Sequence, residues 1–159
     1  MSIIHLGGVD PGLVHTGLIS IRADSQKRTC TVLTEIIDGP DVERVQSLSS
    51  VVLKGAQIFV EKYEDRGTVF STHSDMRVFE TKVMAALPHA KLLSNTGVKK
   101  VITDQMLDAI VGDLPTTNHK DLESAARIAI AGGLKDPQIN SVLYALLIDH
   151  LRGESWLTR

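Results

Sequence analysis

Ile3-Ile4-His5-Leu6-Gly7-Gly8-Val9-Asp10-Pro11-Gly12-Leu13-Val14-His15-Thr16-Gly17-Leu18-Ile19-Ser20-Ile21 is an apolar run that ends on an aspartate, turns on Pro-Gly and resumes as a second apolar run. The pattern predicts a central strand over 3–9, a tight turn at Pro11-Gly12 and a second strand over 14–22, an antiparallel hairpin holding a carboxylate at its end. A carboxylate closing so apolar a strand is costly unless it is paired or binds a cation. Asp10 therefore needs a partner.

Lys27 to Ile37 is rich in β-branched residues and reads as a third strand, closed by Gly39-Pro40. Asp41 to Lys54 places Val42, Val45, Leu48, Val51 and Val52 at helical spacing, with Asp41 as N-cap and Gly55 as terminator. Ala56 to Val60 is a short unbroken apolar run, the mark of a buried parallel strand, and it runs straight into Glu61. A polar stretch, Lys62 to Thr72, precedes a helix from about Ser74 to Leu87, stopped by Pro88. Ala90 to Leu93 reads as a fifth strand, Val98 to Val111 as a helix, and Gly112 to Asn118 as a loop. Asp121 to Ala131 is an alanine-rich helix ended by Gly132-Gly133, and Pro137 to Leu151 a last helix capped by Asp136. This order predicts an α/β chain with a five-stranded mixed sheet, its first three strands antiparallel and the later ones parallel, flanked by helices.

At 159 residues the expectation is one domain, 1–159, able to bury a core without staples. The single cysteine, Cys30, gives no disulfide framework and no cysteine-rich zinc site, so a reducing cytoplasm is the expected compartment. No basic start with an apolar segment behind it is present, and no apolar run approaches the roughly 20 residues of a membrane helix. The net charge of −2 counts against general nucleic-acid binding. Acids gathered at a metal site would account for part of it, leaving Lys91, Lys99 and Lys100 as a local basic cluster, although a solvated face is the commoner meaning of such lysines.

Asp10, Glu61 and Asp121 each stand at the end of an element. Carboxylates brought together raise one another's pKa, and a divalent ion removes that repulsion while gaining hard oxygen ligands, which suits Mg²⁺ or Mn²⁺. Phosphodiester hydrolysis is the chemistry that follows. His119 is the nearby side chain able to add a nitrogen ligand or a base. Each has a plainer explanation: Asp10 as a turn former, Glu61 as an exposed strand end, Asp121 as an acid favoured by a helix dipole, His119 as a loop residue, and Lys99 and Lys100 as a solvated helix start.

Four segments in order span nearly the whole chain: Gly8-Val9-Asp10-Pro11-Gly12 with Thr16-Gly17; Ile58-Phe59-Val60-Glu61-Lys62-Tyr63; Val98-Lys99-Lys100-Val101; and Asp121-Leu122-Glu123-Ser124-Ala125-Ala126-Arg127-Ile128-Ala129-Ile130. Together they resemble the RuvC family of Holliday-junction resolvases, in particular the small versions found in phage genomes. The resemblance implies an RNase H-like fold, with Asp10, Glu61 and Asp121 holding two Mg²⁺ (or Mn²⁺) ions per active site. It implies DNA contacts from Lys62, Tyr63, Lys99 and Lys100, with Tyr63 placed to stack on an unpaired base. It also implies a homodimer that nicks two strands of a four-way junction symmetrically and leaves 5′ phosphates, in the cytoplasm of a bacterial host if phage-encoded. One departure stands out: the family carries two metal-directed side chains three residues apart on the last motif, whereas here the partner of Asp121 would be Asn118 or Ser124, both weak ligands.

Three other readings remain. Asp-x-Gly followed by threonine resembles the phosphate turn of actin-like and sugar-kinase ATPases, which need a second phosphate loop that the sequence lacks. An RNase H-like RNA-processing or flap nuclease would use the same residues. A catalytically silent DNA-binding module would keep the fold without metal.

Overall fold

The hairpin that begins the chain is the middle of the sheet. In the computed structural model, which describes residues 1–12, 14–48, 51–64 and 70–158 (backbone alone for 51 and 70–74), β1 (Ile3–Pro11) pairs antiparallel with β2 (His15–Asp24), and β2 with β3 (Thr29–Asp38). β4 (Gln57–Glu61) lies parallel to β1 and β5 (Lys91–Leu93) parallel to β4, giving the order β3-β2-β1-β4-β5. The mixed five-stranded sheet expected from the sequence is present. Burial on both sides explains why β1 and β2 read as continuous apolar runs instead of alternating ones.

Two cores lie on opposite faces. Leu6, Ile19, Ile21 and Phe59 pack under α4 (Asp104–Val111), α5 (His119–Gly133) and α6 (Pro137–Leu151). Val9, Leu18, Ile37 and Val60 pack against Phe79 and Val83 of α2 (Phe70–Ala86) and against Leu87 just after it. Strand side chains alternate, so commitment of Val9 and Val60 to the α2 side sends Asp10 and Glu61 to the α5 side. Val9 and Val60 are register partners, and the next residue along each parallel strand is the acid.

Helix α5 presses unusually close to the sheet. A Cβ at Gly8 would lie 1.9 Å from the Ala125 carbonyl oxygen, and one at Gly132 would lie 2.3 Å from the Phe59 ring. Gly132-Gly133 does end the helix, as expected, but from inside its last turn. Both residues are helical, and their missing side chains make room for Phe59 and Leu6.

Three other boundaries differ. The expected helix over 41–54 is a seven-residue α1 (Asp41–Ser47) and, further on, a 3-10 turn (Val51–Leu53). Pro40, not Asp41, occupies the cap position of α1, and the Asp41 carboxylate instead accepts from Arg44 Nη2 at 2.8 Å. The expected helix over 98–111 is broken into α3 (Val98–Val101) and α4 by extended backbone at Ile102, because Thr103 caps α4 through Met106 N at 3.3 Å. Of the polar stretch Lys62 to Thr72, residues 65–69, with Gly67, lie outside the described residues. Among the described residues no helix is long and apolar enough to cross a membrane.

Candidate active site

Asp10 and Glu61 meet at the carboxyl ends of the two central parallel strands. Burial, then the charge of Glu61 and hydrogen bonding to it, then the charge of Asp121, push the Asp10 carboxyl up to about 9. The three acids predicted from sequence are thus brought into one electrostatic neighbourhood. Asp121 arrives from the first turn of α5, over β2. Gly17, the register partner of Asp10, has its missing Cβ position 3.2 Å from Asp121 Cβ. A side chain at Gly17 would lift the helix and its acid away.

Glu61 is oriented from the segment that follows β5. Asn95 Nδ2 donates to Glu61 Oε1 at 2.7 Å, while Oε2 is buried without a hydrogen bond of normal geometry among the described residues. A buried carboxylate oxygen left in this way, beside a second carboxyl whose charged form is disfavoured by burial and by its neighbour, is the donor set a hard divalent cation relieves. The Asp10–Glu61 pair therefore fits Mg²⁺ or Mn²⁺. Among the described residues, however, no group of three His, Cys, Asp or Glu side chains is arranged to hold a metal ion. Asp121 contributes by charge from a third element.

His119 is not brought to the pair. Its Nε2 lies 2.7 Å from Glu123 Oε1 and its Nδ1 3.3 Å from the Pro115 carbonyl oxygen. The expected nitrogen ligand is turned away because α5 starts at His119 as a regular helix, on which residues two apart point to opposite sides. Asn118 precedes the helix in a left-handed conformation.

Around the acids the surface divides in two. A small cleft of about 180 Å³ is lined by Asp10, Pro11, Glu61, Lys62, Tyr63, Glu64 and Asn95, so Lys62 and Tyr63 do lie beside the pair. Next to it runs a larger groove of about 780 Å³ that shares Glu61, Glu64 and Asn95 and is walled by Lys99, Lys100, Lys120, Ser124 and Arg127. Lys99 and Lys100 stand on the four-residue α3, exposed, and Lys120 joins them from α5. Glu64 is held by Thr96 Oγ1 at 2.6 Å and by the Ser94 hydroxyl.

Sequence reading missed Asn95, Lys120 and Arg127. Asn95 follows a three-residue strand and looks like any loop asparagine. Lys120 gave a signal in its place next to Asp121, but which way it faces depends on how α5 lies on the sheet.

The fold places the chain among known structures. A fowlpox virus resolvase, solved in complex with Holliday junction DNA, superposes with a TM-score of 0.51 at 14% identity, covering 88% of this chain and 99% of that one. The large terminase nuclease of the thermophilic phage G20c gives a TM-score of 0.35 at 10% identity over 81% of this chain and 82% of the other. No protein-family model matches the sequence, and no curated protein does. The architecture is RNase H-like: a five-stranded mixed sheet flanked by helices.

Proposed function

We propose that the protein is a metal-dependent, structure-selective DNA endonuclease that resolves four-way junctions by paired nicks. The observation that carries this reading is the half-buried Asp10–Glu61 pair, whose Glu61 also lines the adjoining lysine-walled groove. An acid pair alone would repel a phosphate, and a basic groove alone would only bind one. Their adjacency suits a reaction in which a phosphodiester is both captured and cut. The fold shared with a viral resolvase crystallised on junction DNA supports the choice of substrate.

In this reading Asp10 and Glu61 hold the metal, Asp121 adds its charge from α5, and the site takes two Mg²⁺ or Mn²⁺ ions. Bound there, the ions would supply a hydrolytic nucleophile at neutral pH and offset charge on the departing oxygen. The chain's own groups do the rest. Asn95 fixes the Glu61 carboxylate, Lys99, Lys100 and Lys120 attract the phosphate backbone, and Tyr63 lies where its ring can stack on an unpaired base. A four-way junction has two equivalent strands to cut, and each chain has one acid pair, so paired nicking calls for a homodimer.

The test is to incubate the protein with a synthetic four-way junction, a flap, a linear duplex and an RNA–DNA hybrid in Mg²⁺, with a chelator control. Symmetric junction nicks with 5′ phosphates that need the metal are the expected result. Equal or better cutting of the flap or hybrid would make it a flap or RNA-processing nuclease. Junction binding without any cleavage would make it a binding module.

A further inference from the structure

Arg127 is the most deeply buried member of the basic groove, with its side chain 4% exposed. Its guanidinium reaches three elements at once. Nη1 donates to Glu123 Oε2 on its own helix at 3.3 Å, Nε to the Ile102 carbonyl oxygen at 3.3 Å, and Nη2 to the Asp104 carboxylate. Ile102 is the residue at which α3 ends in extended backbone, and Asp104 is the first residue of α4. The planar fork thus occupies the break between the two helices. Glu123 is braced in turn by His119 Nε2.

Two carboxylates beside one guanidinium leave Arg127 little net positive charge to offer a phosphate. Its effect must pass through what it holds. The four residues of α3 are too few to be stable as an isolated helix, so the place of Lys99 and Lys100 is set by tertiary ties. Val98 and Ile102 are buried and hold α3 to the core, but apolar burial has no preferred direction. A planar guanidinium whose three nitrogens each donate to a different acceptor does. It ties the end of α3 to α5, the helix that also carries Asp121 and Lys120.

We infer that Arg127 is a positioning residue that delivers Lys99 and Lys100 to the groove at a fixed place relative to the acids, so that the lysines' share of DNA affinity depends on it. This rests on the nuclease reading above. The proof is a coupling measurement in cleavage-silent Asp10→Asn protein: junction affinity against salt for the parent, for Lys99→Ala/Lys100→Ala, for Arg127→Gln, and for the triple variant. The lysine pair should cost about tenfold at 0.1 M salt and flatten the log–log salt slope by about 2. Arg127→Gln should cost a comparable factor with a similar change in slope, Arg127→Lys should fail to restore it, and the triple variant should be no weaker than the lysine pair alone. Parent-like affinity in Arg127→Gln, or a triple variant weakened by the product of the two losses, would overturn the inference while leaving the DNA-binding reading in place. A lysine pair without effect on affinity or slope would overturn both. If Arg127→Gln does not fold, Arg127→Lys, which keeps the charge but loses the fork, carries the same comparison.

Discussion

The acid corner and the lysine wall adjoin at Glu61, yet they are built by opposite means. The acids end strands of the buried sheet, where register fixes Asp10 beside Glu61, and burial makes their charge unfavourable until something offsets it. The lysines stand exposed on a four-residue helix and on the first turn of another, where their charge is solvated and costs the fold little. Precise placement in the first case comes from backbone pairing. In the second it comes from a few side-chain ties. Losses at the corner should therefore be nearly all-or-none, and losses on the wall graded.

The largest effect tests that division directly. Asp10→Asn or Glu61→Gln should lower single-turnover junction cleavage by about 10³-fold or more, the scale of losing a charge contact to the transition state. Junction binding should hold or tighten, because a negative charge beside the phosphate is gone. Asp121→Asn, at a residue that meets the pair through charge from a separate helix, should fall by less. Near-normal rates in Asp10→Asn would remove the corner from the chemistry.

The corner also depends on how tightly α5 lies on the sheet. Gly8→Ala would push a methyl group to within 1.9 Å of the Ala125 carbonyl, so helix and strand must part. The expected destabilisation is about 3 kcal/mol, read as a lowered midpoint in thermal or denaturant unfolding. Gly153→Ala is the control. It meets nothing within 4 Å and carries only the strain of a positive φ, about 1 kcal/mol. Equal losses at the two sites would show that close approach of α5 is not what holds the corner together.

The two regions were also unequally legible. Asp10 and Glu61 could be read from sequence because an acid that closes an apolar run stands against its local context, and the strand pattern that makes them conspicuous also puts them side by side. Lys99 and Lys100 were legible as a cluster, but the structure of their wall was not. The break at Ile102 hides inside a stretch of helical spacing, although Thr103-Asp104 carries a cap and a first-turn acid. Gly132-Gly133 was legible as the end of α5, but not its packing role, which answers to Phe59 and Leu6, residues distant in the chain. His119 misled: nearness to Asp121 in sequence sets it on the far side of the helix.

A smaller effect follows from the proton on the acid pair. Below about pH 4 the Asp10 carboxyl is protonated in both folded and unfolded chains. As pH rises the unfolded chain releases that proton, while the folded chain keeps it until about 9. The folded state binds more protons across this window, so metal-free stability should decline steadily as pH rises from 5 to 8. Asp10→Asn should flatten the decline, and added Mg²⁺ should reverse it in the parent protein alone. Thermal midpoints across pH, with and without the ion, measure both. A parent protein whose midpoint rises over that range would mean that the pair is not proton-sharing.

The smallest expected effect lies at Lys120, and it probes where corner and wall touch. Lys120 precedes Asp121 on the first turn of α5 yet lines the lysine groove. As an exposed cation meeting one phosphate, it should contribute capture alone. Lys120→Ala should then weaken junction binding about threefold at 0.1 M salt and flatten the salt slope by about 1, with the cleavage rate at saturating DNA unchanged. Rate and affinity part company in this variant if the wall only gathers substrate. If instead the rate at saturation falls and the salt slope stays put, Lys120 acts on the reacting phosphate. The α5 first turn would then belong to the chemistry as a unit, and the contrast between a catalytic corner and a gathering wall would have to be redrawn along that helix.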